Sequence, residues 1–289
     1  MKNKVLKKVI TAALASAFVC SQAAVLSSCT TDHPEVKMKL AFNGKTYTLE
    51  YELYRKIAPS TVKHFMELAE GKYYDGLCVH NYSDSKWYMG GYSFDEAQED
   101  NGGLVEKNYF EAVQGLKLTS TVWQDEDKKN PTYTLYGEFS NNGFKVKAGA
   151  LQQSFGSLTM YYTSKTDVVG KVYAKRSDGK GVDLKDYKLN SATSLFYMSV
   201  STATSAASSS YCTFATLKDD SKDKLEDLKE AIANYIAAQK EENEEFAFAP
   251  VVDEIPSDLG DSFIEGGEVR TYSVPVEPIV IQSVRVTKY

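Results

Sequence analysis

Histidine, the commonest general acid and base in enzymes, is sparse in this chain. Its three histidines, His33, His64 and His80, show no metal-ligand spacing to a cysteine or to one another. Neither a Gly-x-Ser-x-Gly nucleophile elbow nor a Gly-rich phosphate loop occurs. The acidic run at residues 125–127 lacks converging ligands at a definite spacing and is typical of a solvated loop. The sequence therefore indicates neither a metal site nor a cofactor.

An aromatic stretch at residues 73–91 is the segment around which the other elements can be placed. It begins Tyr-Tyr-Asp-Gly, continues as a strand-like run and ends in Trp-Tyr-Met-Gly-Gly. Upstream, a helix is predicted from Pro59, which suits a first helical turn, to Gly71, which suits a stop. The apolar positions of this helix follow the i, i+3, i+4, i+7 spacing and are Val62, Phe65, Met66 and Ala69.

The order and spacing of these segments resemble the opening of the cyclophilins, a family of peptidyl-prolyl isomerases. Residues 59–65, Pro-Ser-Thr-Val-Lys-His-Phe, are similar to the family's P-x-T-V-x-N-F helix. Residues 73–80 are similar to its Y-Y-D-G-x-x-F-H segment, and His80 stands ten residues before Gly90, as it does in the family.

Two later segments carry the same resemblance. Residues 136–144 look like the motif G-E-F-x-x-N-G-[FW], and residues 156–160 look like G-x-L-S-M. The resemblance implies a mainly β fold, a cyclophilin-like closed eight-stranded antiparallel β-barrel capped by two α-helices and enlarged by insertions. It also implies a groove that binds proline-containing peptides.

The resemblance identifies one position at which catalysis depends on a single side chain. In cyclophilins an arginine hydrogen-bonds toward the prolyl nitrogen and weakens the amide resonance behind a barrier of about 18–20 kcal/mol. The matching position, directly after His80, holds Asn81, which lacks the positive fork of an arginine. Losing a charge-assisted hydrogen bond of roughly 1.5–3 kcal/mol slows turnover by about ten- to a hundredfold. No catalytic residue is therefore assigned.

Most other groove positions of the family also carry different residue types here. With His80, which matches a position that is usually structural, the predicted groove residues are Asn81, Lys86, Trp87, Met89, Tyr161, Tyr162, Leu195, Tyr197 and Tyr211. Tyrosine and tryptophan give large contact areas at a low cost in conformational entropy, which favours a peptide-binding surface. Aromatic residues that fill space after activity has been lost are the alternative.

The first 28 residues have the pattern of a secretory signal peptide. Four lysines precede an apolar run from Val9 to Cys20, which is too short for a permanent membrane span. The closing Leu-Ser-Ser-Cys looks like a bacterial lipobox, and this resemblance implies cleavage before Cys29 and lipidation of its thiol. We expect an extracytoplasmic protein, lipid-anchored to a bacterial membrane in the cell envelope, with residues 29–35 as a lipidated tether. An ordinary signal peptide with a chance cysteine is the alternative.

The charge and the cysteines of the mature chain exclude one partner class and leave one question open. Removing four lysines and no acids lowers the net charge from −6 to −10. Such a surface repels phosphates, so nucleic acid is not expected as a partner. Cys78 and Cys212 lie in apolar strand-like runs, which favours two buried thiols. A disulfide between them is the alternative that export would permit.

Residues 36–289 are predicted to form one cyclophilin-like domain. A hairpin turn is expected at Asn43-Gly44. Two insertions into the family pattern are also expected. The first, at about 94–135, is predicted to be a solvated excursion, and the second, at about 161–193, is predicted to form an extra hairpin. A long amphipathic helix is predicted at about 221–245. Residues 249–278 are predicted to be a linker to the last strand.

Two classes of function follow from these observations. The first is a cell-envelope lipoprotein whose cyclophilin-like domain has weak or absent isomerase activity and binds a proline-containing peptide or an envelope protein. The second is an active peptidyl-prolyl cis-trans isomerase that assists folding in the cell envelope. Glycan binding through exposed tyrosines is a third possibility.

Overall fold

The computed structural model describes residues 31–116, 118, 122–139, 142, 151–160, 170–176, 180–187, 193–205, 211–257 and 268–289. The predicted signal peptide, Cys29, Tyr161 and Tyr162 lie outside these residues. Residues 31–289 belong to one compact unit. The described part is mainly β and contains three α-helices, α1 (Pro59–Glu70), α2 (Tyr109–Leu116) and α3 (Lys222–Glu242).

The strands are short except at the two ends of the described chain. They are β1 (Glu35–Phe42), β2 (Lys45–Leu53), β3 (Asn81–Tyr82), β4 (Lys86–Met89), β5 (Tyr92–Phe94), β6 (Leu104–Glu106), β7 (Val122–Trp123), β8 (Leu158–Met160), β9 (Gly170–Lys175), β10 (Val182–Tyr187), β11 (Phe196–Ser199), β12 (Cys212–Leu217), β13 (Val251–Ser257), β14 (Glu268–Ser273) and β15 (Val280–Lys288).

The main sheet has eight strands in the order β15-β1-β2-β12-β8-β11-β4-β3, and its pairs are antiparallel. Its edge strands are β3 and β15, so the predicted closed barrel is not confirmed by the strand pairing. Residues 76–79, which precede β3, are nevertheless linked to residues 279–281 at the start of β15 by backbone hydrogen bonds. Gly76 donates to the carbonyl of Ile281 at 2.8 Å, Ile281 donates to Leu77 at 2.7 Å, and Val79 donates to Ile279 at 2.9 Å.

The β1–β2 hairpin forms as its sequence predicts. Apolar side chains alternate along β1, and Val36, Met38 and Leu40 are fully buried. Asn43 and Gly44 turn the chain with φ values of 44° and 74°, the left-handed conformation that Asn-Gly adopts readily in a two-residue turn.

Helix α1 begins and ends where the sequence predicts, and a distant carboxylate caps its first turn. No side chain of the helix itself caps this end. Instead Glu138 accepts hydrogen bonds from the backbone N–H groups of Ser60 and Thr61, at 3.1 and 2.9 Å, and from the Thr61 hydroxyl at 2.8 Å. Burial raises the pKa of Glu138, although these donors oppose the shift. The helix N-terminus is thus tied to the segment that resembles G-E-F.

The first excursion is more ordered than a solvated loop. It contains β6, α2 and β7, with Leu104, Val113 and Val122 buried, so the structure has a third helix where two were predicted. His64 of α1 joins this region to the core. Its Nε2 atom lies 3.1 Å from the Tyr109 hydroxyl and 3.0 Å from the Thr193 carbonyl. Burial lowers the pKa of His64 to about 4.

Residues 251–273 contain a β-hairpin, so the prediction of a linker at 249–278 is wrong. β13 pairs with β14 in an antiparallel ladder, and Ile255 and Tyr272 are buried on its inner side. The second predicted excursion does contain a hairpin, formed by β9 and β10, and β7 joins it as a third strand.

The residues just before β1 are fixed to the domain. Thr31 donates its backbone N–H to the carbonyl of Tyr289 at 2.9 Å and accepts a hydrogen bond from the Arg55 guanidinium at 3.1 Å. The Nδ1 atom of His33 lies 2.7 Å from a carboxylate oxygen of Glu52. Most of the predicted tether at 29–35 therefore contacts the folded domain.

The core contains both cysteines of the described chain as free thiols. Cys78 and Cys212 are each about nine-tenths buried or more and form no disulfide. Burial raises the pKa of each thiol to about 12, so both are protonated and unreactive at neutral pH. Helix α3 contributes Leu225, Leu228 and Ile232 to the same core.

Candidate functional site

The β3–β4 hairpin carries the aromatic stretch and presents two different faces. Successive side chains of a strand point to opposite sides, and along β4 Trp87 and Met89 are buried whereas Lys86 and Tyr88 are partly exposed. Cross-strand partners share a face. Tyr88 lies opposite Asn81 on one side and Tyr197 on the other, whereas Trp87 lies opposite Tyr82 and Met198.

The inner face is part of the core. The Trp87 ring is 1% exposed and stacks on Tyr82 with ring centroids 5.8 Å apart. The Tyr82 ring in turn packs edge-to-face against the ring of Phe248, which follows α3, with ring centroids 5.1 Å apart. Met89 is fully buried opposite Phe196. Trp87 and Met89 were predicted to line a peptide groove, but their side chains have no surface to offer a ligand.

The outer face brings together four partly exposed side chains around one buried ring. We call it the Lys86 face, and it consists of Asn81, Lys86, Tyr88, Tyr197 and Tyr211. Tyr197 is 1% exposed and forms the floor. Its ring centroid lies 5.2 Å from that of Tyr88 and 6.1 Å from that of Tyr211. Asn81, Lys86, Tyr197 and Tyr211 are predicted groove residues that the fold does gather on one surface.

The Lys86 ammonium is held by aromatic faces. Its Nζ atom lies 4.6 Å from the centroid of the Tyr197 ring and 5.6 Å from that of the Tyr211 ring. A cation is attracted to the negative face of such rings, by about 0.5–1 kcal/mol at exposed sites and more where water is removed. Burial lowers the pKa of Lys86.

Asn81, which the sequence resemblance matches to the family's arginine, has a structural partner for its side chain. Its Oδ1 atom accepts a hydrogen bond from the backbone N–H of Ser273 at 3.0 Å. Ser273 is the last residue of β14, so this contact holds the β13–β14 hairpin against β3. An arginine has no acceptor and could not make this bond.

His80 and Leu195 are buried rather than exposed. The His80 ring is 2% exposed and lies between Tyr92 and Tyr272, with ring centroids 5.0 and 4.9 Å away. Burial, with a smaller effect of Arg270, lowers the pKa of His80 to about 3, so the imidazole is neutral at physiological pH. Leu195 is 4% exposed. Tyr161 and Tyr162 lie outside the described residues.

Gly90, the first glycine after β4, lies where steric contacts exclude a side chain. Gly90 has a φ of 103°, and a Cβ atom placed there would lie 2.3 Å from the carbonyl oxygen of Ser194. A side chain at this position would clash with the segment that leads into β11. The glycine therefore keeps β4 and β11 close enough to form the floor of the Lys86 face.

Sequence reasoning missed Tyr88 and the hairpin contact at Ser273. For Tyr88 a signal was present, because the alternation of Lys86 and Tyr88 with Trp87 and Met89 already assigns them to opposite faces. For the hairpin the signal was weaker, since the stretches at 251–255 and 269–274 each contain polar residues and are separated by a long segment of mixed composition. Within the described residues, no group of three His, Cys, Asp or Glu side chains could hold a metal ion.

No helix in the described ranges is both long enough and apolar enough to cross a bilayer.

The sequence and the structure were compared with known protein families and solved structures to identify the family of this chain. The sequence profile described as "Cyclophilin type peptidyl-prolyl cis-trans isomerase/CLD" matches residues 37–247. Comparison with curated protein sequences gave no match.

Among solved structures, the chain is similar to a cyclophilin type peptidyl-prolyl cis-trans isomerase of Cryptosporidium parvum, with 14% identity and a TM-score of 0.39 over 89% of this chain and 99% of that one. A second structure of that protein, determined in the presence of the dipeptide Ala-Pro, gives 14% identity and a TM-score of 0.40 over 88% of this chain and 99% of that one.

The profile covers more than two thirds of the chain, from β1 to just beyond α3. The matched range includes both faces of the β3–β4 hairpin and the segment around Glu138 that caps α1. The chain therefore belongs to the cyclophilin-type peptidyl-prolyl cis-trans isomerase family.

Proposed function

We propose that this protein is a cell-envelope lipoprotein whose cyclophilin-type domain binds a proline-containing peptide or an envelope protein and has weak or absent isomerase activity. In this proposal the signal peptide at 1–28 is removed and a lipid at Cys29 anchors the chain to a bacterial membrane. Binding uses the Lys86 face. Neither a cofactor nor nucleic acid takes part.

One contact carries the proposal of weak catalysis. The side chain at the position of the family's arginine is Asn81, and it accepts the Ser273 N–H of the chain's own hairpin. A neutral amide engaged in this way has no charge to direct at a prolyl nitrogen. In an active cyclophilin the arginine at this position lowers the barrier to rotation of the prolyl bond, whereas Asn81 in this chain fixes β14 to β3.

Peptide binding is supported by the composition of the Lys86 face. Two partly exposed tyrosines and a lysine surround the buried Tyr197 ring. Rigid aromatic side chains lose little entropy on binding and are common energetic centres of peptide and protein interfaces.

The direct test is the rate of cis-trans isomerisation of a Xaa-Pro peptide with the 30–289 fragment. We expect no acceleration above the uncatalysed rate at high protein concentration, while an active cyclophilin assayed in parallel accelerates it. An Asn81→Arg variant should stay inactive. The arginine removes the acceptor for the Ser273 N–H, but the β13–β14 hairpin still lies beside position 81. Clear acceleration by the wild-type fragment would overturn the proposal of weak catalysis.

Membership of an isomerase family favours the second candidate, an active envelope foldase. The same assay decides between the two candidates. A rate that depends on protein concentration and falls in a Tyr197→Ala variant would establish the foldase and place its site on the Lys86 face.

The lipid anchor is tested independently of the domain's activity. We expect the mature chain expressed in a bacterium to fractionate with membranes and to carry a diacylglycerol mass on its first residue. A Cys29→Ala variant should lose both properties. A mature N-terminus at any residue other than Cys29 would contradict the anchor.

A further inference from the structure

Lys86 differs from the other half-buried lysines that lie over aromatic rings. Lys107 lies 4.5 Å above the Tyr73 ring and donates a hydrogen bond to the Tyr73 carbonyl. Lys229 lies 5.4 Å above the Phe155 ring and donates to the Val200 carbonyl at 2.6 Å. Among the described residues, the Lys86 ammonium has neither a hydrogen-bond acceptor nor a carboxylate within 4.0 Å, and its contacts are the two tyrosine rings.

The Lys86 ammonium is partly desolvated, and no protein acceptor in the described part of the chain replaces the hydration that it loses. Its three N–H donors give up part of their hydration to the aromatic rings, which satisfy the charge but accept no conventional hydrogen bond. A carboxylate placed above Tyr197 would form a charge-assisted hydrogen bond with Nζ. Tyr88 and Tyr211 flank this point and offer apolar contact to the chain on either side of it.

We propose that the Lys86 face binds the side-chain carboxylate of a glutamate or aspartate in an extended peptide. This inference rests on the proposed peptide binding and adds the chemical class of the residue recognised. Because the whole chain carries a net charge of −6, long-range electrostatics disfavours an acidic ligand. A preference for an acidic peptide must therefore come from a local contact such as Lys86.

The test compares acetylated, C-terminally amidated Ala-Pro peptides that carry glutamate or glutamine at each position flanking the Ala-Pro pair. Binding to the full chain in mild detergent is measured by calorimetric titration. With wild-type protein we expect the best glutamate peptide to bind about tenfold more tightly than its glutamine partner, the lower end expected for a charge-assisted hydrogen bond. In a Lys86→Met variant both peptides should bind equally.

Two further variants separate this contact from general charge effects. Lys86→Arg keeps a cation over the rings and should retain the preference for glutamate. Lys45→Met removes an exposed lysine that lies 4.8 Å above the Tyr47 ring and outside the Lys86 face. This variant should also retain the preference for glutamate. A preference that survives in Lys86→Met, or that is lost equally in Lys45→Met, overturns the assignment to Lys86.

The remaining outcomes distinguish this inference from the proposed function. Equal affinity for glutamate and glutamine peptides overturns the acidic specificity but leaves peptide binding intact. Absence of binding to every peptide overturns both. A glutamine peptide with a free C-terminus that binds as tightly as the amidated glutamate peptide shows that the face reads a terminal carboxylate, which overturns the assignment to a side chain.

Discussion

Lys86 and Trp87 are neighbours in sequence, yet the structure places them in opposite environments. Trp87 stacks on Tyr82 inside the core and is 1% exposed. Lys86 lies on the other side of the same strand, above Tyr197 and Tyr211. The inner face has an apolar neighbour for its indole ring, whereas the outer face holds a cation without an acceptor in the described part of the chain. Residues of the inner face should therefore control stability, and residues of the outer face should control binding.

The largest effect is expected from Trp87→Ala. Truncating a buried tryptophan leaves a cavity and should lower the free energy of unfolding by about 3–5 kcal/mol, measured by urea denaturation. Peptide affinity of the folded protein should not change. If Trp87→Ala instead weakened peptide binding with little loss of stability, the division between the two faces would be wrong.

A smaller effect is expected from His80→Phe, at the point where the chain enters the hairpin. Because burial lowers the pKa of His80 to about 3 from 6.5, the stability due to its neutral form is present above pH 6.5 and is lost as the pH falls toward 3. Between pH 6.5 and 5 the wild type should lose about 2 kcal/mol relative to His80→Phe. Urea denaturation of both proteins across this range gives the difference, and His64 titrates equally in both. Parallel pH curves would contradict the burial of His80.

Asn81→Ala sharpens the comparison, because it tests an outer-face residue with a structural contact. Removing the acceptor of the Ser273 N–H should cost about 1 kcal/mol. It should also speed amide hydrogen exchange in β14. Asn81→Asp keeps an acceptor oxygen and serves as the matched control. Unchanged exchange at Ser273 in the alanine variant would show that the hairpin is held by other contacts.

The smallest change in stability is expected from Lys86→Met. The methionine keeps the aliphatic contact with Tyr197 and loses a cation–π attraction, so the free energy of unfolding should change by about 0.5 kcal/mol or less. A loss as large as that of Trp87→Ala would make Lys86 a structural residue. The face would then no longer be a candidate for ligand binding.

Much of the local structure could be predicted from the sequence. The β1–β2 hairpin and α1 follow from periodicity and from the turn and start residues Asn43-Gly44 and Pro59, and the family follows from four spaced motifs. The placement of Trp87 and Met89 in a groove was wrong, because matching a motif position by position ignores which face each strand residue occupies. The alternation within residues 86–89 contained that information.

Other features could not be predicted from local patterns. The bond from Ser273 to Asn81 joins residues 192 positions apart, and the bonds from Ser60 and Thr61 to Glu138 span more than 70. Nothing in the sequence near Asn81 shows that a hairpin from the far end of the chain will cover it. Such contacts depend on the tertiary arrangement, which single-sequence periodicity does not report.

The pairing of β1 with β15 also limits when the domain can fold. The ladder places Glu35 opposite Lys288, and the two side chains are joined by an ion pair across 253 residues. A strand near the beginning of the domain therefore waits for nearly the whole chain before it gains its second neighbour. Contacts of such long range make folding slow, because the entropy of closing the loop is lost before the pairing compensates for it. Until β15 arrives, one edge of β1 remains open to pairing with other chains, which exposes this strand to aggregation during folding.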